Sequence, residues 1–422
     1  MIPSDARRDS MLLTVARTLR GAAAGALAVV FATDLAAAGY GPFWVGVIVG
    51  VAVGASAAWA ILIAHRIPRL APTGLFVLGA LTVAIGGFLL WFDLASPWAL
   101  VPAILLGGIV AGGSDISPLA AVEQGSLSRA VTDRTRTGAF VAYNLAGYVG
   151  TAVGALLAVP LSGIGGNLAG LPSSPRDGVL LLYGLVGLAL LPTYLLLRSS
   201  RAPTGPDPGT HRPLSPEHRG PIVRLSALFA VDAFGGGMTT NTLVAYFLVL
   251  RFGAPPAAIG TLLALASVAA GASLLLALPL ARRIGLVRTM VFTHIPSSLL
   301  LIAFAFAPAL LGAGVLWVAR STLSQMDVPT RQSYTQAIVP RSEGIAAAGY
   351  TTAARSSQAL GSPVTGAFFA VGGPWLAGPF ALAGSIKVAY DLALFRSFRA
   401  HRPPEETEPP PPPGPGGRHG PP

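Results

Sequence analysis

The sequence predicts an all-α membrane protein with twelve transmembrane helices in two pseudo-symmetric six-helix halves. Three observations predict it. Of 422 residues 53% are apolar and 11% charged, with a mean hydropathy of +0.65, so charges are too few to coat a soluble surface. The 51 Gly and 37 Pro suit membrane helices better than soluble ones. Stretches long enough to cross about 30 Å of hydrocarbon, roughly 20 helical residues, recur twelve times.

The predicted spans are 21–38, 43–64, 73–92, 98–121, 137–161, 178–197, 222–249, 257–280, 286–308, 311–331, 344–371 and 375–396. Their order alternates the connections between two sides, and the basic residues divide unequally. With a cytoplasmic N-terminus, 23 of the 28 basic residues face inward, two (Arg176 and Arg251) face outward, and three lie within spans. Basic loops stay on the cytoplasmic side during insertion, so both termini are expected there, in a plasma (bacterial inner) membrane. The same asymmetry accounts for the net charge of +11 without nucleic acid as a partner. The lipid bilayer is the expected surrounding, and a monomer the expected unit.

The expected organisation is an N-terminal cytoplasmic segment (1–20), a six-helix bundle (21–197), a Pro-, Arg- and Ser-rich linker (198–221), a second bundle (222–398) and a Pro-rich tail (399–422) whose composition predicts disorder. The halves echo each other at matched places. Gly39 to Gly46 is echoed by Gly253 to Gly260, Pro118 by Pro329, and Gly150 by Gly361. Such internal repetition is typical of duplicated transporter folds.

The run Leu280-Ala281-Arg282-Arg283-Ile284-Gly285-Leu286-Val287-Arg288 is similar to the basic loop motif of the major facilitator superfamily, with Arg282 where that motif has an acidic residue. The first-half copy, Ala64 to Arg69, departs further, carrying Pro68 where the second has Gly285. Ser324 to Tyr334 is similar to a signature of a bacterial subgroup of unassigned substrate. The resemblance covers nearly the whole chain. It implies a secondary transporter working by alternating access, with spans 1, 4, 7 and 10 around a central cavity and 2, 5, 8 and 11 flanking it. Gly147, Gly150 and Gly154 loosely echo the family's antiporter motif, which points to efflux. Uptake of an organic anion or sugar-like solute, and a non-transporting receptor or scaffold, are the alternatives.

Ionisable residues inside a membrane cost roughly 2.5 to 3.5 kcal/mol each on insertion scales, so those present need partners or a wet cavity. Asp34, Asp232, Arg320 and Arg355 fall near span centres. Arg320 and Arg355 are candidates for attracting a polar or anionic group of a small-molecule substrate, because a guanidinium stays charged in the interior. Asp232 and Asp34 are the proton-coupling candidates, since a buried carboxylate takes up a proton more readily than one in water. Equally open is a fixed pairing of Asp232 with Arg320 or Arg355 that holds helices together. Asn144, Asn241, Gln325 and Gln358 are candidates for a polar path.

Nearer the inner surface, Asp115, Glu123, Arg129, Arg134, Asp327 and Arg331 are expected to form gate salt bridges, Glu123 with Arg129 or Arg134. The loop arginines Arg282, Arg283 and Arg288 belong to the same gate set. Lys387 and Asp391, four apart on one helical face, are expected to neutralise each other. His294 is expected to be structural. No cysteine, Walker motif or His-Glu-x-x-His exists, so neither a catalytic group, a cofactor nor a metal is expected.

Overall fold

The structure is a computed structural model that describes residues 4–66, 72–109, 118–130, 133–162, 177–197 and 213–399. Among these residues every regular element is helical. In the first half they are α1 (Ser4–Ala37), α2 (Pro42–Arg66), α3 (Pro72–Asp93), α4 (Pro97–Leu105), α5 (Pro118–Ala130), α6 (Asp133–Leu161) and α7 (Asp177–Leu195). In the second they are α8 (Pro216–Met238), α9 (Asn241–Phe252), α10 (Pro256–Ile284), α11 (Leu286–Ala305), α12 (Leu310–Ser321), α13 (Asp327–Ala337), α14 (Gly344–Arg355), α15 (Gln358–Val371) and α16 (Gly378–Phe398).

Eight of the described helices are long and apolar enough to cross a membrane: α1, α2, α3, α6, α7, α8, α10 and α11. The stretches predicted as continuous spans at 222–249, 311–331 and 344–371 are each divided between two helices, and 98–121 between α4 and α5. Lys387 and Asp391 lower the hydropathy of α16. Two boundaries also move. α1 begins at Ser4 rather than 21, because residues 7–20 carry apolar positions that pack inward, with Leu13 and Ala16 fully buried. α8 begins at Pro216, inside the predicted linker, with Pro at the first helical position, where its missing N–H costs nothing.

Hydroxyl side chains take over hydrogen bonding where these helices break. At the α8/α9 break, Thr240 accepts from the Leu243 N–H, while Ser362 and Thr365 of α15 donate to the freed Gly237 and Met238 carbonyls at 2.8 and 2.9 Å. At the α14/α15 break, Ser356 donates to its own helix and Ser357 to the Ala230 carbonyl, both at 2.6 Å. A broken helix is tolerated in hydrocarbon only when neighbours satisfy its backbone in this way.

Glycine permits the closest approaches. A methyl at Gly154 of α6 would sit 1.8 Å from the Ala22 carbonyl oxygen of α1, and one at Gly361 of α15 2.2 Å from the Phe234 carbonyl oxygen of α8. Small residues at such contacts let membrane helices pack backbone to backbone. The first and second halves of the chain meet along two seams, α2 against α15 and α6 against α10, with α1 also touching α9. Gly46 lies beside Gly366 and Gly54 beside Ala359 along the first seam, and Gly260 meets the Ala155 carbonyl and Gly271 the Tyr148 side chain along the second.

Candidate functional site

Four helices meet at Asp232, which is 5% exposed on α8, six residues before that helix ends at Met238. Its Oδ1 accepts from Lys387 Nζ of α16 at 2.5 Å and its Oδ2 from Arg331 Nη1 of α13 at 3.4 Å. The same ammonium also donates to the Asp232 backbone carbonyl at 3.3 Å. Arg331 reaches Asp327, one turn earlier on α13, at 3.0 Å. On α11, His294 lies between two carboxylates: its Nδ1 is 2.9 Å from Asp391 Oδ2 and its Nε2 3.7 Å from Asp232 Oδ1. Among the described residues this is a continuous buried network linking α8, α11, α13 and α16.

The pairing differs from expectation in two respects. Asp232 pairs with Lys387 and Arg331 rather than with Arg320 or Arg355. Lys387 and Asp391 do share a helical face, but each turns to a different neighbouring helix, because the long lysine stem reaches Asp232 and the shorter aspartate meets His294. His294, expected to be structural, is through Asp391 a member of the buried network.

Arg320 and Arg355 occupy matching local positions, each in the last turn of a half-helix, α12 and α14, directly before a break. Both lie in the electrostatic field of Asp232 and Asp327. Neither forms an ion pair among the described residues, and Arg320 Nε and Arg355 Nη1 are sealed from solvent without a hydrogen-bond partner. The Arg320 guanidinium lies 4.7 Å from the centroid of the Trp317 ring.

The other sequence-selected residues are more scattered. Gln325, between α12 and α13, accepts from the Tyr148 hydroxyl of α6 at 2.8 Å, joining the two halves. Gln358 is buried at the start of α15, and a methyl on Gly237 would lie 1.8 Å from its carbonyl oxygen. Asn144 and Asn241 are half-buried on α6 and α9, and Asp34 is buried in α1. Arg282 and Arg283 are exposed at the end of α10 and Arg288 at the start of α11. Asp115 and the side chains of Arg129 and Arg134 lie outside the described residues.

Glu123 also departs from expectation. It is fully buried on α5, where Arg20 of α1 pairs with it, Tyr143 of α6 donates to it, and the Tyr194 hydroxyl of α7 donates at 2.5 Å. The α5 face that carries Glu123 points into the bundle, so its partners come from other helices. Tyr194 and Arg20 carried no distinguishing sequence signal beyond a basic residue at the predicted edge of a span.

The structure matches the nucleoside transporter NupG over 93% of this chain and 99% of that one, with TM-score 0.66 at 15% identity. The chain has the major facilitator fold. A bacterial homolog of the human lysosomal transporter Spinster, inward-facing and occupied, matches over 93% and 97% with TM-score 0.67 at 17% identity. The human organic anion transporter MFSD10 matches over 92% and 99% with TM-score 0.64 at 16% identity. No family model and no curated protein matches the sequence, so the likeness lies in the major facilitator fold itself.

Proposed function

We propose that the chain is a proton-coupled secondary transporter of the major facilitator superfamily that moves a small molecule by alternating access. The observation that carries this reading is the placement of buried charge beside broken helices. Arg320, Arg355 and the Asp232 network flank interruptions in three predicted spans, and discontinuous helices with ionisable groups at depth are how such transporters build sites near the bilayer midplane. Transport itself is argued from these residues, because one fold hosts many solutes.

The two halves supply different parts. Asp232, tied to Lys387 and Arg331, couples to protons: neutralising that carboxylate releases two cations at once and loosens α8 from α13 and α16. Asp34 is the first-half candidate for the same role. Asn144, Asn241, Gln325 and Gln358 line the polar path. Near the inner surface, Asp327 with Arg331 serves the gate, together with Asp115, Arg129, Arg134, Arg282, Arg283 and Arg288, and Glu123 contributes to it through Arg20. The basic loops support cytoplasmic termini and residence in the plasma membrane.

Export is the proposed direction, on the echo of an antiporter motif in Gly147, Gly150 and Gly154. Those glycines also pack α6 against α1. Uptake of an organic anion is the second reading, favoured by the two unpaired guanidiniums. Proteoliposomes with an imposed proton gradient test the proposal. Solute-dependent proton flux, abolished in Asp232→Asn, is expected; flux that survives that substitution unchanged removes Asp232 from coupling.

A further inference from the structure

Four cations in the second-half cluster, Arg320, Arg331, Arg355 and Lys387, stand against three carboxylates, Asp232, Asp327 and Asp391. His294 is either neutral or adds to the positive side. The carboxylates are all spoken for: Asp232 by Lys387 and Arg331, Asp327 by Arg331, and Asp391 by His294. The surplus therefore falls on the two arginines without an ion pair. A buried charge without a counterion is among the costliest features a membrane interior can hold.

Their helix positions relieve part of that cost. Each guanidinium follows from the last turn of a half-helix, whose carbonyl end carries about half an elementary negative charge. That offset is partial, and it satisfies neither Arg320 Nε nor Arg355 Nη1. Exposure separates the cluster further. Asp232, Asp327, Arg331, Lys387 and Asp391 are all buried, whereas Arg320 and Arg355 are half-buried. The members that reach open space are thus both cationic.

We propose that Arg320 and Arg355 form the binding site for an oxyanion, a carboxylate or a phosphate, which supplies the missing negative charge when bound. The planar guanidinium fork suits either group, since both present oxygens at matching spacing. This names the substrate class for the transport reading above and rests on it. Binding is measured without transport, so the two fail separately: oxyanion binding in protein that shows no flux in proteoliposomes removes the transport reading and leaves the site standing.

The test is thermal melting of the purified full-length protein in detergent, at constant ionic strength, with inorganic phosphate, benzoate, citrate, glucose and choline as separate probes. At least one oxyanion is expected to raise Tm saturably, with Arg320→Gln and Arg355→Gln each weakening that protection tenfold or more and Arg251→Gln, exposed at the end of α9, leaving it unchanged. Phosphate alone, or the carboxylates alone, identifies which oxyanion the site takes. Ligand-free melting of Arg320→Met and Arg355→Met separates binding from folding, and Tm is expected to hold or rise as an unbalanced charge is removed. No protection by any oxyanion, protection that persists in the double Gln variant, or lost protection accompanied by a fall in ligand-free Tm overturns the proposal.

Discussion

Asp232 is the acidic partner of Lys387 in the interior, so removing either member unbalances a buried pair. Breaking a buried pair this way costs about 3 to 5 kcal/mol, whereas replacing both members costs far less. Asp232→Asn and Lys387→Met are each expected to lower the unfolding free energy by roughly that amount, with the double variant recovering most of it. A double-mutant cycle in detergent checks this; additive losses would show that the 2.5 Å contact carries no coupling.

A second residue-scale expectation concerns pH. Glu343, in the turn before α14, meets the Ser215 N–H at 3.2 Å and His218 Nδ1 at 3.0 Å, tying the start of α8 to that turn. Burial pushes its carboxyl up, but the Ser215 N–H and the His218 and Ser215 side chains outweigh this and hold it below the usual 4.5. A lowered carboxylate contributes stability that is present above the unfolded value and lost as pH falls through the folded one. The Tm difference between the native chain and Glu343→Gln is therefore expected to be full above about pH 5 and to shrink below pH 4. A difference that grows on acidification would contradict it.

The sequence exposed these residues but not their partners. Asp232, Arg320 and Arg355 stood out because charge is rare within apolar spans. Pairing depends on helix rotation and on side-chain reach, which spacing along one chain does not encode, so Lys387 and Asp391 were matched to each other. His294 reads as structural from sequence, since one imidazole in an apolar run is ordinary until its neighbours are known.

At the scale of elements, the continuous helices were legible because hydropathy reports length and edges directly. The predicted span 73–92 lies within α3 (Pro72–Asp93), and 286–308 begins with α11 (Leu286–Ala305). The breaks were not legible. Thr239, Thr240, Ser356 and Ser357 interrupt apolar runs without ending them, and only their hydrogen bonds, to the helix ends they flank and, for Ser357, to the Ala230 carbonyl of α8, show that the backbone has turned. The extension of α1 back to Ser4 was hidden by its arginines, one of which, Arg20, is buried against Glu123.

Close glycine contacts belong to this scale as well. Gly361→Ala places a methyl 2.2 Å from the Phe234 carbonyl oxygen, and overpacking of this kind costs about 1 to 3 kcal/mol. Gly349→Ala, on α14 with nothing within 4 Å of the added carbon, is expected to hold or gain about 0.5 to 1 kcal/mol from helix propensity. Melting curves of the two variants check the contrast, and equal Tm values would contradict it.

At the scale of the whole molecule, the halves of the chain join along α2 with α15 and α6 with α10. The charged network includes His294 and Lys387 at the middle of α11 and α16, whereas the exposed Arg282, Arg283 and Arg288 mark one end of α10 and α11. Alternating access requires the two ends of the bundle to open in turn while each half moves as a body. The chain contains no cysteine, so introduced pairs carry spin labels without background. Labels at Trp98 and Trp375, both exposed, report one side, and labels at Gly74 and Arg283 report the other. Double electron–electron resonance on both pairs, with and without a protecting oxyanion and across pH, tests the central claim. Two distance populations per pair that shift in opposite directions are the expected result; single populations unmoved by ligand and pH, or both pairs widening together, would contradict it.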